Sequence, residues 1–336
     1  MANIRNIAKL SGVSKATVSR ILNQDESFSV SDTTRKRVLE TARRLNYIPA
    51  SNASKDSVER LHLGIVNCVS AEDELKDPYF REIKIGIEEQ AELWGMMLFK
   101  EIHLPSYDYD LKDLSLCGAV IVIGTLTEAF LANIYHYNHN IIIIDDSRHF
   151  LNYDVIHNDF DQQTQNVLDL MKSKGHQKIA FIGGRKNLSD NKSIKHNELL
   201  DVREQSYLNW MKLNDLEKYI NVQVTQWTAE GAMKATKKIL ALDRPTAILT
   251  ASDPQAIGVY RIIQEFGLSI PKDIAVVSFD DIEMAQYLYP SLTTVKPAAK
   301  IMGKEAINLV RERLVDNRKV SLEITVNSNL IIRESL

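Results

Sequence analysis

The chain has 336 residues, 44% of them hydrophobic and 25% charged, with a net charge of −3 and two cysteines. That length suits two or three domains, and the composition excludes disordered, collagen-like and disulfide-scaffold classes. No apolar run reaches membrane-spanning length; the longest strong one, "NIIIID" (140–145), is strand-sized. The net charge hides a division. Residues 1–60 carry 11 Lys and Arg against 6 Asp and Glu, a net of +5, and the remainder carries 30 against 38, a net of −8. A basic head on an acidic body suits a head that meets a polyanion. The opening "MANIRNIAKLSG" lacks an apolar signal core, so the expected location is cytoplasmic, with no membrane partner. Cys68 and Cys117 each sit in an apolar run and read as reduced, buried thiols.

In chain order, residues 1–47 read as three short helices. "NIRNIAKLSG" sets Ile4, Ile7, Ala8 and Leu10 at helical spacing, with Asn3 as cap and Gly12 ending the helix. "SKATVSRILN" restarts on Ser14 and turns Val18, Ile21 and Leu22 inward. "SDTTRKRVLETARRLNY" opens on Ser31 and buries Val38, Leu39, Ala42 and Leu45. Ala8, Gly12 and Val18 have the spacing of a helix-turn-helix: a small residue at the crossing, glycine in the turn, and a β-branched plug behind the second helix. Short outward side chains let that helix approach the major-groove floor. Thr17 and Ser19 can bond phosphates and Arg20 can reach a base edge, with Lys15 and Ala16 at the helix's N-terminal end. Residues 48–60 form a linker, where Pro49 blocks helix continuation and small polar residues follow.

From Leu61 apolar strands and helices alternate. The strand candidates are "LHLGIVNCV", "MMLFKE", "AVIVIG", "NIIIIDD", "VIHND", then "KIAFIGG", "INVQV", "TAILTA", "IAVVSFDD" and "TTV". Helical patterns cover 79–94, 127–137, 160–173, 198–212, 229–241, 254–266 and 298–315, and a polar-apolar tail runs to Leu336. Two successive sets of about five strands indicate two similar, doubly wound α/β subdomains within 61–336.

The residues "IRNIAKLSGVSKATVSRILN" and "TRKRVLETARRLNYIP" closely resemble the DNA-binding head of the LacI/GalR repressor family. The resemblance implies that Lys15, Ala16 and Arg20 read bases, that Thr17, Ser19 and Asn23 anchor the backbone, and that homodimers hold two heads on a near-palindromic double-stranded operator. The hinge departs from the family pattern: the usual minor-groove wedge falls on Asp56, whose charge opposes entry into a groove of negative potential. Asn52 and Ala53 remain as hinge contacts to DNA.

Over 61–335 the resemblance is looser and implies a periplasmic-binding-protein-like body whose cleft takes a small molecule. It is carried by "DPYFREIKIGIEEQAELWG", "KGHQKIAFIGG", "DVREQSYLNWM", "ASDPQAIGVYRIIQEFGLSIPKDIAVVSFDD" and "YPSLTTV", and the middle stretches are similar to galactoside-responsive members. It places Asp280 and Arg203 on effector contacts, beside plainer readings of helix cap and surface ion pair. Tyr79 and Phe80 pack on a sugar face or fill core. Trp227 lies near an effector position, one residue short in its spacing to Gly231. Asp159 matches a cleft carboxylate or serves the switch between subdomains, and Ser252 stands where relatives often have Asn. The implied effector is a sugar, galactose or a galactoside acting as inducer; a purine effector or a partner protein is the alternative within the family. No P-loop, G-x-S-x-G or H-E-x-x-H occurs, and Asp280 with Arg203 lacks a nucleophile and base, so neither enzyme chemistry nor a metal or cofactor is expected. His136 and His139 read as a polar loop.

Overall fold

A computed structural model describes residues 4–22, 28, 30–44, 61–70, 78–104, 109–190 and 198–336. Asn3, Asn23, Leu45, Asn52, Ala53 and Asp56 lie outside the described residues.

The head is three helices, α1 (Ile4–Ser11), α2 (Lys15–Leu22) and α3 (Asp32–Arg44). Gly12, at φ 66°, makes the turn that lets the Val13 amide donate to the Ala8 carbonyl at 3.1 Å. Ser14 Oγ then accepts from the Thr17 amide at 3.1 Å and caps α2, and Ser31 Oγ accepts from the Thr34 amide at 3.3 Å at the start of α3. Ile7, Ala8, Val18, Ile21, Val38 and Ala42 form the core, with Leu22 packed at its edge. Two expected core residues are corrected. Leu10 is 53% exposed and Leu39 38% exposed. In α1 the buried stripe continues from Ile7 to Ser11, four residues on, whose hydroxyl satisfies itself on the Ile7 carbonyl at 2.6 Å.

The first subdomain begins with β1 (His62–Asn67), α4 (Pro78–Trp94), β2 (Met97–His103), β3 (Ala119–Ile123), α5 (Glu128–Tyr137), β4 (Ile141–Ile144) and β5 (Asp154–Asn158). The second holds α6 (Phe160–Ser173), β6 (Ile179–Gly183), a short pair β7 (Lys186–Asn187) and β8 (Glu198–Leu199), α7 (Val202–Leu213) and β9 (Asn221–Val224). It continues with α8 (Ala229–Leu242), β10 (Ala247–Thr250), α9 (Asp253–Glu265), β11 (Ala275–Phe279) and β12 (Thr293–Lys296). The chain then returns: α10 (Ala299–Leu314) packs on α4, β13 (Glu323–Val326) pairs with β5, and β14 (Asn329–Ile331) pairs with β12. The first sheet runs β13-β5-β4-β3-β1-β2, all parallel; the second runs β14-β12-β11-β10-β6-β9, parallel but for β14. Strands such as Ile141–Ile144 are buried along their whole length, as expected of a parallel sheet covered on both faces.

Leu61, at the end of the linker, belongs to the body: its carbonyl accepts from the Met97 amide at 2.9 Å and its side chain packs on the first core. Helices α4 and α10 touch at their backbones, since a Cβ on Gly86 would lie 2.1 Å from the Lys300 carbonyl oxygen and one on Gly303 2.1 Å from that of Ile83. The return is held by Asp154, which is 0% exposed and takes bidentate pairs from Arg313 (2.5 and 2.9 Å) and Arg318 (2.9 and 2.7 Å). The Leu322 amide donates to the same carboxylate at 2.7 Å, so β13 is delivered to the sheet edge by a buried charge cluster.

Candidate nucleic-acid interface and effector cleft

On the head, Lys15, Ala16 and Arg20 are exposed along one side of α2 while Val18 and Ile21 are buried on the other. Thr17 and Ser19 are half-buried, and the Thr17 hydroxyl lies 2.9 Å from that of Ser14. The Arg20 guanidinium lies over the Phe28 ring at 5.3 Å, which aims the long side chain without removing its charge from solvent.

The chain passes between the subdomains three times, at Asn158–Phe160, Lys296–Ala299 and Val326–Asn329. Between the two sheets lies a cavity of about 200 Å³, lined by Asp145, Asn158, Phe160, Asp161, Lys186 and Glu323 among others. Carboxyl ends of strands from both sheets face it, where ligands of open α/β sheets sit. Strands β4 and β11 end alike, in Asp145–Asp146 and Asp280–Asp281; Asp145, Asp280 and Asp281 take φ of 67°, 112° and 51°. Asp tolerates this left-handed region better than most residues, and here it turns the chain sharply off each strand.

Arg203 follows Val202, which lines this cavity, and touches Phe160, which lines it too. It is 5% exposed at the start of α7, where Asp201 caps the helix. The guanidinium is gripped by Asp201 (Nε to Oδ1 2.7 Å, Nη2 to Oδ2 2.9 Å), and Nη1 donates to the Ala251 carbonyl at 2.6 Å. Phe160, Trp227 and Phe279 surround it, with ring centroids 4.7, 5.1 and 5.5 Å from Cζ. Burial works against its charge, but Asp201, and after it Asp280 and Asp145, hold its pKa above the ordinary arginine value. Among the described residues, three of its five donor hydrogens are satisfied, by the Asp201 carboxylate and the Ala251 carbonyl. The surface ion pair considered for Arg203 is thus a buried one.

Tyr79 joins the first-subdomain wall. Its hydroxyl donates to Asp145 Oδ1 at 3.0 Å and accepts from Asn158 Nδ2 at 2.8 Å, and burial, with Asp145 beside it, pushes its pKa well up. Phe80 packs edge-on against Tyr79, centroids 5.2 Å apart, and contributes to the core. Asp280 stands at the cleft end of β11. The short helix that follows, Glu283–Tyr287, receives no side-chain cap, and Asp281 pairs with Arg333 at 2.7 Å and Lys296 at 3.2 Å. Asp159 is committed to the hinge: Oδ1 accepts from the Ser328 amide and Oδ2 from Gln163 Nε2, both at 2.8 Å, which ties the first crossing to the third. Ser252 is buried before α9 with its hydroxyl 3.3 Å from Gln255 Oε1. Its neighbour Asp253 accepts from Thr294 (2.8 Å) and the Ile282 amide (2.9 Å), and burial pushes its carboxyl up to about 6. Trp227 packs on Arg203: its indole lies against Gly184, where a Cβ would sit 2.5 Å from the ring, and Nε1 donates to the Arg185 carbonyl at 3.2 Å.

The cavity is lined also by Asp145, Asn158, Phe160 and Lys186, with Asp201 buried beside Arg203, none of which stood out in the sequence. "IIIIDD" repeats the ending of "VVSFDD" and was a usable signal for Asp145; the others are assembled only by the fold. His136 meets Tyr137 edge-on and His139 lies tilted against Tyr135, centroids 5.0 and 4.5 Å apart. Among the described residues no cluster of His, Cys, Asp and Glu is arranged to hold a metal ion, and no helix is long and apolar enough to cross a membrane.

Residues 3–50 match the family of bacterial regulatory proteins, lacI family, and residues 168–336 match the periplasmic binding protein-like domain. The HTH-type transcriptional repressor MelR of Bacillus subtilis is 32% identical over 100% of this chain and 97% of its own length. The HTH-type transcriptional regulator GanR of the same organism is 31% identical over the whole of both chains. The lac repressor dimer bound to operator and the anti-inducer ONPF has the same fold, with TM-score 0.68 and 23% identity over 99% of this chain and 98% of that one. A helix-turn-helix head followed by two α/β subdomains, matched end to end by these repressors and regulators, establishes that the chain belongs to the lacI family of bacterial transcription regulators and is not an enzyme.

Proposed function

We propose that this chain is a homodimeric, cytoplasmic repressor whose grip on a near-palindromic operator is relieved by galactose or a galactoside. Residues 1–47 read the operator, 48–60 link, and 61–336 bind effector and pair the two copies. Lys15, Ala16 and Arg20 read bases, with Thr17, Ser19, Asn23, Asn52 and Ala53 on the backbone or hinge contacts. Tyr79, Arg203, Trp227 and Asp280 meet the sugar; Phe80, Asp159 and Ser252 support that wall or the hinge. The observation that carries the effector reading is the Arg203 guanidinium, buried among three aromatic rings with the Asp280 and Asp145 carboxylates near it. Rings that cover an apolar sugar face, beside fixed donors and carboxylate acceptors for hydroxyls, are the chemistry a pyranose needs.

The test is retention of an operator, selected from random duplexes, against a panel of sugars, sugar phosphates and purines. Release by galactose or galactosides alone supports the reading; release by purines alone, or by nothing, overturns it. Arg20→Ala is expected to cost about 1–3 kcal/mol of operator affinity, the worth of one good base contact. Measured against scrambled DNA, the loss should fall on the operator. An equal loss on both duplexes would demote Arg20 to a phosphate contact.

A further inference from the structure

The segment between β6 and α7 does more than connect them. Its root is fixed to the effector wall: the Arg185 carbonyl accepts from Trp227, and the Arg185 guanidinium pairs with buried Glu204, the residue after Arg203. Lys186 and Asn187 then pair antiparallel with Leu199 and Glu198. From that base the segment leaves its own subdomain. The Ser189 amide donates to the Thr125 carbonyl at 3.0 Å, and the Ser189 carbonyl accepts from the Thr127 amide at 3.1 Å, at the cap of α5 in the first subdomain. Lys186 Nζ reaches across as well, donating to the Asp145 carbonyl at 3.1 Å and to Asp145 Oδ2 at 2.9 Å. Asp145 is 7% exposed, already takes the Tyr79 hydroxyl, and bends the chain off β4.

We propose that residues 186–190 are a latch between the subdomains, with Lys186 and Asp145 as its bolt, and that Lys186 is a positioning residue for the effector response. Four bonds made by the protein's own groups cross the cleft, and none of them lies in the three chain crossings. They join the helix that carries Arg203 to the acid that orients Tyr79. The effector therefore works on an equilibrium that the protein has already biased, and it can move that equilibrium only by its differential affinity for the two states. The regulatory half of the proposal rests on the inducer reading given above. There, a sugar that favours the latched arrangement releases DNA. Weakening the latch then tightens ligand-free operator binding and raises the sugar concentration needed for release.

The test uses the full-length chain and Lys186→Met, which keeps the stem and removes the charge, with Lys186→Arg as the conservative control. Amide exchange is followed at Thr127 and Ser189, whose N–H groups make the two backbone bonds. Without sugar, the Met variant should exchange about tenfold faster at both, the order expected for lost charge-assisted bonds, while amides of β4 stay protected and the Arg variant behaves as wild type. The same Met variant should hold operator more tightly and need about tenfold more galactose for half-release. Unchanged exchange at Thr127 and Ser189 overturns the latch. Faster exchange with unchanged operator affinity and sugar response overturns its regulatory role. If no sugar releases the wild-type chain, the effector reading fails instead, and the latch stands or falls on exchange and ligand-free operator affinity, both of which must move.

Discussion

Arg203→Ala is expected to abolish the sugar response and, at the same time, to destabilise the second subdomain by about 3–5 kcal/mol, the usual cost of breaking a buried ion pair from one side. Asp201 is 0% exposed and would lose the two guanidinium bonds that offset the burial of its carboxylate, and the three rings around the guanidinium would lose their shared contact. A loss of response in this variant alone would therefore not separate ligand contact from stability. Arg203→Ala combined with Asp201→Ala removes both charges and should recover a large part of the stability in urea unfolding while leaving the sugar response absent. A double variant as unstable as the single one would show that packing against the rings, and not the stranded Asp201, dominates. A single variant that stays stable and still releases DNA with sugar would remove Arg203 from the cleft's function.

Asp154→Ala should be comparably severe, about 3 kcal/mol or more, by the same reasoning. Burial opposes the Asp154 charge, yet Arg313, Arg318 and the Leu322 amide hold its carboxyl below the usual aspartate range. Its contribution is therefore present at neutral pH and is lost as pH falls through that depressed value. Without it, the buried Arg313 guanidinium loses its carboxylate partner, Arg318 keeps only Glu312 as an acid partner, and the anchor of β13 disappears. The expected signature is specific: exchange at Glu323–Val326 accelerates far more than at β1 or β3. Because β13 brings Glu323 to the cleft, the sugar response should weaken too. Uniform exchange along the first sheet would contradict this placement of Asp154 as the clamp of the returning chain.

The head was legible because its helices follow the 3.6-residue period and its turn needs glycine at position 12. Leu10 and Leu39 misled, since an apolar residue near the buried stripe is not thereby on it; Ser11 took the place by satisfying its own hydroxyl. In the body, fully apolar strands between helices announced a parallel sheet. The edge strands β13 and β14 carry the mixed pattern "EITV" and "NLI", partly exposed on the outside of each sheet, so no run of apolar residues marked them. The expected helix at 198–212 starts instead after Asp201, because Glu198 and Leu199 pair with the latch. Arg203 and Trp227 are brought together, near Tyr79 and Asp145, from four separate segments. Asp159, matched to a cleft carboxylate by the same resemblance, spends its oxygens on the Ser328 amide and Gln163. Such choices depend on which partner lies within 3 Å across the fold, which a linear pattern does not encode.

The central claim is that cleft occupancy and operator grip are one linked equilibrium. It is tested most directly by measuring the galactose Kd of the full-length protein twice, free and saturated with its selected operator, and the operator Kd with and without saturating galactose. Linkage requires the two ratios to agree. With galactose as inducer, operator should weaken galactose binding by the same factor, about 5–150-fold, by which galactose weakens operator binding. Galactose that binds equally well to the free and the operator-bound protein would contradict the claim outright.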